Sequence, residues 1–281
     1  RRFGANYANT DFVTEKAREV YHYYYHQHFP ADETLWARKR RKSPLYDRLA
    51  VLGAEFGEKN GWERVNFFRP GESSRQAADD QHQWGWGRAP YHDLIREECL
   101  SARERVALFD MSSFGKFEVS GPGALGLLQR VACNNIDRPV GSLVYTQFLN
   151  AHGGIESDLT VCRLATDRFR VITGTSFLSN DLEWVRQHAP KDGSVEVRDV
   201  TDDLACIGLW GPNARDVLDQ ATDNDISHDA FPYLTAQELT VAGKPAWAQR
   251  VSYVGELGWE LLLANDNADT VWDSLLELGQ A

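Results

Sequence analysis

Over residues 145–161 two short apolar runs meet at Gly153-Gly154. Paired glycines reach positive φ without steric cost, so the pair predicts a turn between two strands. After the turn, Leu159 and Val161 alternate with Asp158 and Thr160. A strand there turns the apolar pair to one face and Asp158 with Thr160 to the other. Aspartate is a poor strand former. Asp158 therefore conflicts with its own surroundings, and such conflicts collect at functional positions.

The remaining pattern predicts helices over residues 10–21, capped by Thr10 or Asp11, over 46–56, with Gly53 late in it, and over 91–106, with Ile95, Cys99 and Ala102 on one face. Strands are predicted over 108–111 and 117–119. Residues 58–68 read as a loop holding Trp62. Residues 71–89 read as an irregular loop with Trp84 and Trp86 as anchors. The aromatic run at 21–28 reads as a helix face packed on a neighbour; His22 and His26 are four apart, but no acidic residue accompanies them in a zinc-binding arrangement.

An internal repeat sets the architecture. Phe117 to Leu128 and Cys206 to Leu218 share one plan: a strand, a Gly-Pro turn (Gly121-Pro122, Gly211-Pro212) and a helix. Each proline is predicted in the first helical turn, where a missing N–H costs nothing. More strands follow each helix. Two such halves predict an α+β, pseudo-symmetric domain with room for a ligand between them. In the second half, a strand ending near Tyr253 and another starting at Trp259 flank Glu256, which lies between Gly255 and Gly258. A turn carboxylate there is either solvated or accepts two parallel N–H groups of a flat heterocycle.

Composition narrows the field. The chain has 281 residues, 42% hydrophobic, and a net charge of −11, which argues against a nucleic-acid or anionic-membrane binder. Arg38 to Lys42 reads as a solvated basic linker. Cys99, Cys133, Cys162 and Cys206 lack metal-ligand spacing and read as buried thiols of a reducing compartment. No metal is expected, no apolar run reaches membrane-spanning length, and no dinucleotide, triphosphate or Gly-x-Ser-x-Gly motif appears. The candidate chemistry rests on Asp158 and Glu256, with Tyr145 facing the same pocket. Both ends read as cut from a longer polypeptide.

Six ordered stretches then carry a resemblance: Ser43-Pro-Leu-Tyr-Asp47, Val106-Ala-Leu-Phe-Asp-Met-Ser112, Phe117-Glu-Val-Ser-Gly-Pro122, Tyr145-Thr-Gln-Phe-Leu-Asn150, Gly153-Gly-Ile-x-x-Asp-Leu159 and Tyr253-x-Gly-Glu-x-Gly-Trp259-Glu260. Together they resemble the aminomethyltransferase (glycine-cleavage T-protein) folate-binding family. The closer resemblance is to the T-protein-like part of dimethylglycine and sarcosine dehydrogenases or oxidases, which comes after a flavin domain. It implies that residues 1–42 end the region linking to that flavin domain, as Gly4 to Asp11 and the aromatic run suggest. Residues 43–281 then form the folate-binding domain, without its C-terminal barrel.

The resemblance further implies tetrahydrofolate as one-carbon acceptor, FAD in the preceding domain, a methylated amine as substrate, and 5,10-methylenetetrahydrofolate as product. Asp158 would orient or deprotonate the attacking folate amine. Glu256 would hold the pterin, Tyr145 would touch it, and Thr160 would line the pocket. Phe114 would stack on the ligand, and Arg250 joins the folate-binding set. One departure stands: Arg250 precedes Val251-Ser252-Tyr253, where the family usually carries Thr-Gly-Tyr. The implied compartment is cytoplasm, or mitochondrial matrix in a eukaryote. The alternatives are a demethylase of another methyl donor and a folate-binding module that transfers nothing. The decisive expectation is that Asp158 and Glu256 converge on one hollow.

Overall fold

The computed structural model describes residues 9–27, 33–71, 75–76, 87–253 and 255–280. The chain forms two compact units, 1–100 and 101–281. The segments holding Gly4 to Ala8, His28, Phe29, Trp84 and Trp86 lie outside the described residues.

In the first unit, α1 spans Thr10–Tyr23. Its cap is Asn9, not Thr10 or Asp11: extended Asn9 accepts from the Asp11 and Phe12 amides at 3.0 and 3.2 Å. The expected packed aromatic face is exposed at Tyr21, Tyr24 and Tyr25. His22 and His26 stack on each other, with ring centroids 5.9 Å apart. The second helix, α2, stops at Tyr46–Val51. Gly53 takes φ +83° and ends it.

Beyond Gly53 the chain forms a hairpin, not a helix end and a loop: β1 (Ala54–Lys59) pairs antiparallel with β2 (Trp62–Phe68). Asn60 and Gly61 between them both have positive φ, the pairing that a two-residue hairpin turn requires. A short β3 (Arg75–Gln76) adds to β1 in parallel. The basic run is built into this unit instead of being solvated. Arg38 pairs with the buried Glu63 at 2.6 Å, and the Arg41 guanidinium lies 4.2 Å from the Trp62 ring centroid. A buried carboxylate must keep such a partner. The helix α3 (His92–Glu104) comes next, as expected, but Cys99 on its predicted inner face is exposed.

The second unit holds β4 (Ala107–Asp110), β5 (Gly115–Ser120), α4 (Ala124–Val131), β6 (Leu143–Leu149), β7 (Ile155–Ala165), β8 (Arg168–Thr173), α5 (Leu178–His188) and β9 (Glu196–Asp199). It continues with β10 (Leu204–Trp210), α6 (Ala214–Ala221), β11 (Ala236–Val241), β12 (Lys244–Gln249), β13 (Gly258–Ala264) and α7 (Ala268–Gln280). One five-stranded sheet runs β6-β7-β8-β5-β9 and the other β11-β12-β13-β10-β4. The predicted halves are therefore present, each a strand, a helix, three strands and a helix.

In each half the Gly-Pro pair opens a turn just ahead of the helix, where Gly121 and Gly211 accept from Ala124 and Ala214 at 2.9 and 3.0 Å. Pro122 and Pro212 thus occupy the second turn position, which a fixed φ favours, and not the first turn of the helix. Gly121 and Gly211 have φ +109° and +134°, and a Cβ would strike the Ser194 and Arg105 carbonyls.

Strand alternation gives each sheet two unlike faces. In the first sheet Phe117, Val119, Leu159, Val161, Phe169 and Val171 pack with α4 and α5 in one apolar cluster. Its other face meets the second sheet. Leu143 and Cys162 pack there with Ala236 and Trp247, and Ile172 packs with Cys206 and Leu262. Main-chain bonds stitch the sheets at one edge: the Leu143 amide donates to Leu234 O at 2.9 Å and Ala236 to Gly141 O at 2.7 Å.

Candidate functional site

The face-to-face layer between the two sheets carries several out-of-place polar side chains. Asp158, exposed, and Thr160, half-buried, lie on that side of β7 because Leu159 and Val161 are taken up by the helix side. The register sets Tyr145 opposite Thr160 and Gln147 opposite Asp158. From there the Tyr145 hydroxyl donates to Asp158 Oδ2 at 2.9 Å. That hydrogen bond, aided by the charge of Asp158, pushes the Tyr145 phenol above its ordinary value, and Tyr253 adds a smaller push.

Tyr253 belongs to the segment 250–257, which also carries Glu256. Both ends of that segment are fastened to the end of β10: Trp210 Nε1 donates to Val251 O at 2.8 Å, and the Gly211 amide donates to Leu257 O at 2.9 Å. The half-buried Glu256 is thereby held on a clamped loop that also carries the exposed Tyr253. The structure thus brings Tyr145, Asp158 and Thr160 together on one face and fastens the Glu256 loop to the end of β10. Phe114 packs half-buried on the same inter-sheet layer, beside Ile172, Cys206 and Leu262.

Arg250 is placed differently. It alternates with Gln249 and so turns to the helix side. Its Nη1 donates to Phe231 O at 2.5 Å and meets His228 Nδ1 at 3.2 Å, and its guanidinium lies 6.0 Å from the Trp259 ring centroid. Burial, and then the charge of Arg215, hold its pKa below the ordinary value. No contact joins it to Tyr145 or Asp158 among the described residues.

Three further residues of the layer escape sequence reasoning. Lys116 is fully buried, and its Nζ donates to Ser112 O at 2.8 Å and Phe114 O at 3.0 Å. Burial pushes its ammonium pKa down, which Cys206 and Asp110 partly offset. Glu260 stands between β10 and β12, and burial pushes its carboxyl up to about 7 against the pull of Lys116. By surface area Glu260 is nonetheless only partly buried. Gln249, in register with Glu260, is fully buried, and neither side-chain polar atom has a hydrogen-bond partner among the described residues. The available signal was the one that marked Asp158: a polar residue inside a strand pattern.

Of the cysteines, Cys162 and Cys206 are buried as expected, whereas Cys99 and Cys133 are exposed because α3 and the end of α4 leave them on the surface. Among the described residues no group of three or more His, Cys, Asp or Glu side chains is arranged to hold a metal ion. No helix among them is long and apolar enough to cross a membrane.

Comparison with known proteins places this geometry. The family described as the GCVT N-terminal domain matches residues 45–281. The chain is 39% identical, over its full length, to 4-methylaminobutanoate oxidase (formaldehyde-forming) of Paenarthrobacter nicotinovorans, of which it covers 33%. It is 33% identical to human mitochondrial sarcosine dehydrogenase, covering 95% of this chain and 33% of that one. In three dimensions it is similar to the glycine cleavage system aminomethyltransferase T of Bartonella henselae, with a TM-score of 0.67 and 23% identity over 85% of this chain and 57% of that one. The chain spans about a third of the length of the curated relatives it matches.

Proposed function

The chain belongs to the GCVT N-terminal domain family, and on that premise we propose that it is the tetrahydrofolate-binding, one-carbon-transfer part of a flavin-dependent N-methyl amine dehydrogenase. In this reading residues 1–42 lead in from a flavin domain of the same polypeptide, which holds FAD and oxidises the methylated amine. The one-carbon unit is then captured on tetrahydrofolate as 5,10-methylenetetrahydrofolate.

The observation that carries the reading is the Tyr145–Asp158 pair, 2.9 Å apart, with Thr160 in register beside Tyr145. Asp158 orients the attacking amine of the folate and takes up its proton, which requires a base within hydrogen-bond reach. Tyr145 fixes the free rotation of that carboxylate by holding Oδ2 and leaves Oδ1 for the substrate. Glu256 accepts the parallel N–H groups of the pterin. Thr160 and Phe114 line the same layer.

The orphaned amide of Gln249 and the near-neutral carboxyl of Glu260 fit such a ligand, because a flat heterocycle with ring N–H and C=O groups answers polar atoms that hydrocarbon would not. The test is calorimetric titration of tetrahydrofolate into the full-length protein and its variants, alongside a transfer assay. Glu256→Ala should weaken binding by about tenfold or more, since it leaves buried donors unpaired. Asp158→Ala should keep most of the binding and lose transfer. Transfer that survives Asp158→Ala unchanged would remove Asp158 from the mechanism.

A further inference from the structure

We infer that Gln249 is a second recognition residue of this site, reading a ligand edge on which a carbonyl and an N–H lie side by side. The inference rests on the folate reading above and names the part of that ligand which Gln249 takes. Gln249 closes β12, with Ala236 of β11 in register on one side and Glu260 of β13 on the other. Ala236 packs with Leu143 and Cys162 of the opposite sheet, so this row of side chains faces the inter-sheet layer and not the helices. Gln249 is at 0% exposure, yet Oε1 and Nε2 both lack partners among the described residues.

Folded proteins keep few such groups, because a buried amide that pairs with nothing loses its hydration for no return. A leucine of similar size would satisfy packing better. The amide is thus explained by something it meets, and the surroundings say where. Glu260, its in-register neighbour, retains accessible surface. On the other side, Gln249 and Glu256 flank the clamped segment 250–255. The loop that carries Glu256 thus begins at Gln249.

A glutamine amide presents an acceptor and donors in one plane. Its complement is a C=O beside an N–H on the same edge. A reduced pterin has that edge, at its C4 carbonyl and N5–H. The benzoyl-glutamate tail of a folate does not, because its secondary amide is trans and turns C=O and N–H to opposite sides. Gln249 therefore selects the head of the ligand and leaves the tail unread, while Glu256 takes the head by another edge.

The experiment uses the full-length protein and its Gln249→Leu variant. It reads the thermal midpoint without ligand and the dissociation constants of tetrahydrofolate, of 6-methyltetrahydropterin as head alone, and of 4-aminobenzoyl-glutamate as tail alone. The expected result is a higher unliganded midpoint, head and whole-folate affinity weakened about tenfold or more, and tail affinity unchanged. A lower midpoint with unaltered head affinity would make Gln249 a structural residue, and equal weakening of head and tail would sink the edge assignment; either overturns the inference while the folate reading stands. Wild-type protein that binds neither tetrahydrofolate nor the head would bring down both. If Gln249→Leu does not fold, Gln249→Met, also without an amide, gives the same readings.

Discussion

In the first half of the 101–281 unit, Glu118 on β5 stands in register with Arg170 on β8; ninety residues on, Gly208 on β10 stands in register with Glu260 on β13. The frame is the same and the chemistry is opposite. Glu118 is closed off: Arg170 holds one carboxylate oxygen at 2.8 Å and Arg168 the other at 2.8 Å. Glu260 faces a glycine, and the ring of Trp210 covers the space where a Gly208 side chain would be. Its carboxyl has only Lys116 to lower its pKa, and the amide beside it is unpaired among the described residues. A duplicated framework thus spends its polar groups on stability in one copy and leaves them available in the other.

The comparison breaks most visibly if the satisfied half is opened. Glu118→Ala leaves Arg170, itself buried, without its counter-charge, and should cost about 3 kcal/mol or more of unfolding free energy in a urea titration. The pH dependence has a definite sign. Burial pushes the Glu118 carboxyl up, but hydrogen bonds from Arg170 and Arg168 outweigh it and hold the group below its usual value. Its stabilisation is therefore full above the unfolded-state value of about 4.3 and is lost as pH falls through the folded value. A loss no larger than that of an exposed pair such as Arg198–Asp203 would erase the contrast.

Glu260 should behave in reverse. Its folded carboxyl is raised to about 7, so its contribution is full below the unfolded value and disappears as pH rises through about 7. Glu260→Gln removes that penalty. The variant should gain on wild type between pH 5 and pH 8 by about 1–2 kcal/mol, a figure reduced for the residue's partial exposure. Urea midpoints measured at the two pH values decide it. A difference that is flat with pH would mean that Glu260 is already charged in the folded protein.

Much of this arrangement is legible along the chain. The strands around Gly153-Gly154 follow from alternation over a few residues, and the two halves follow from the repeated Gly-Pro turns. Asp158 betrays itself by sitting in a strand. Elsewhere local signals compete. The helix expected over 46–56 absorbs a strand because Gly53 and the Asn60-Gly61 turn outweigh the apolar spacing around them. Arg38 to Lys42 looks solvated until Glu63, buried from another strand, needs a cation. Gln249, Glu260 and Lys116 meet only through strand pairing and the apposition of two sheets, neither of which local periodicity encodes.

The smallest effect on stability, and the sharpest on function, belongs to Tyr145→Phe. Tyr145 is 54% exposed and its hydroxyl touches Asp158 at the surface end of the layer, so losing it should shift stability by less than about 0.5 kcal/mol. The same change frees Asp158 Oδ2 to rotate and to bind water. If Asp158 works by orientation, transfer should fall by about tenfold, the order expected when one positioning hydrogen bond is removed, with tetrahydrofolate affinity little changed. If the pair is only a surface contact, melting and transfer will both stay where they were. The two sheets would then differ in stability chemistry alone, and the layer's function would have to rest on the buried side chains behind it.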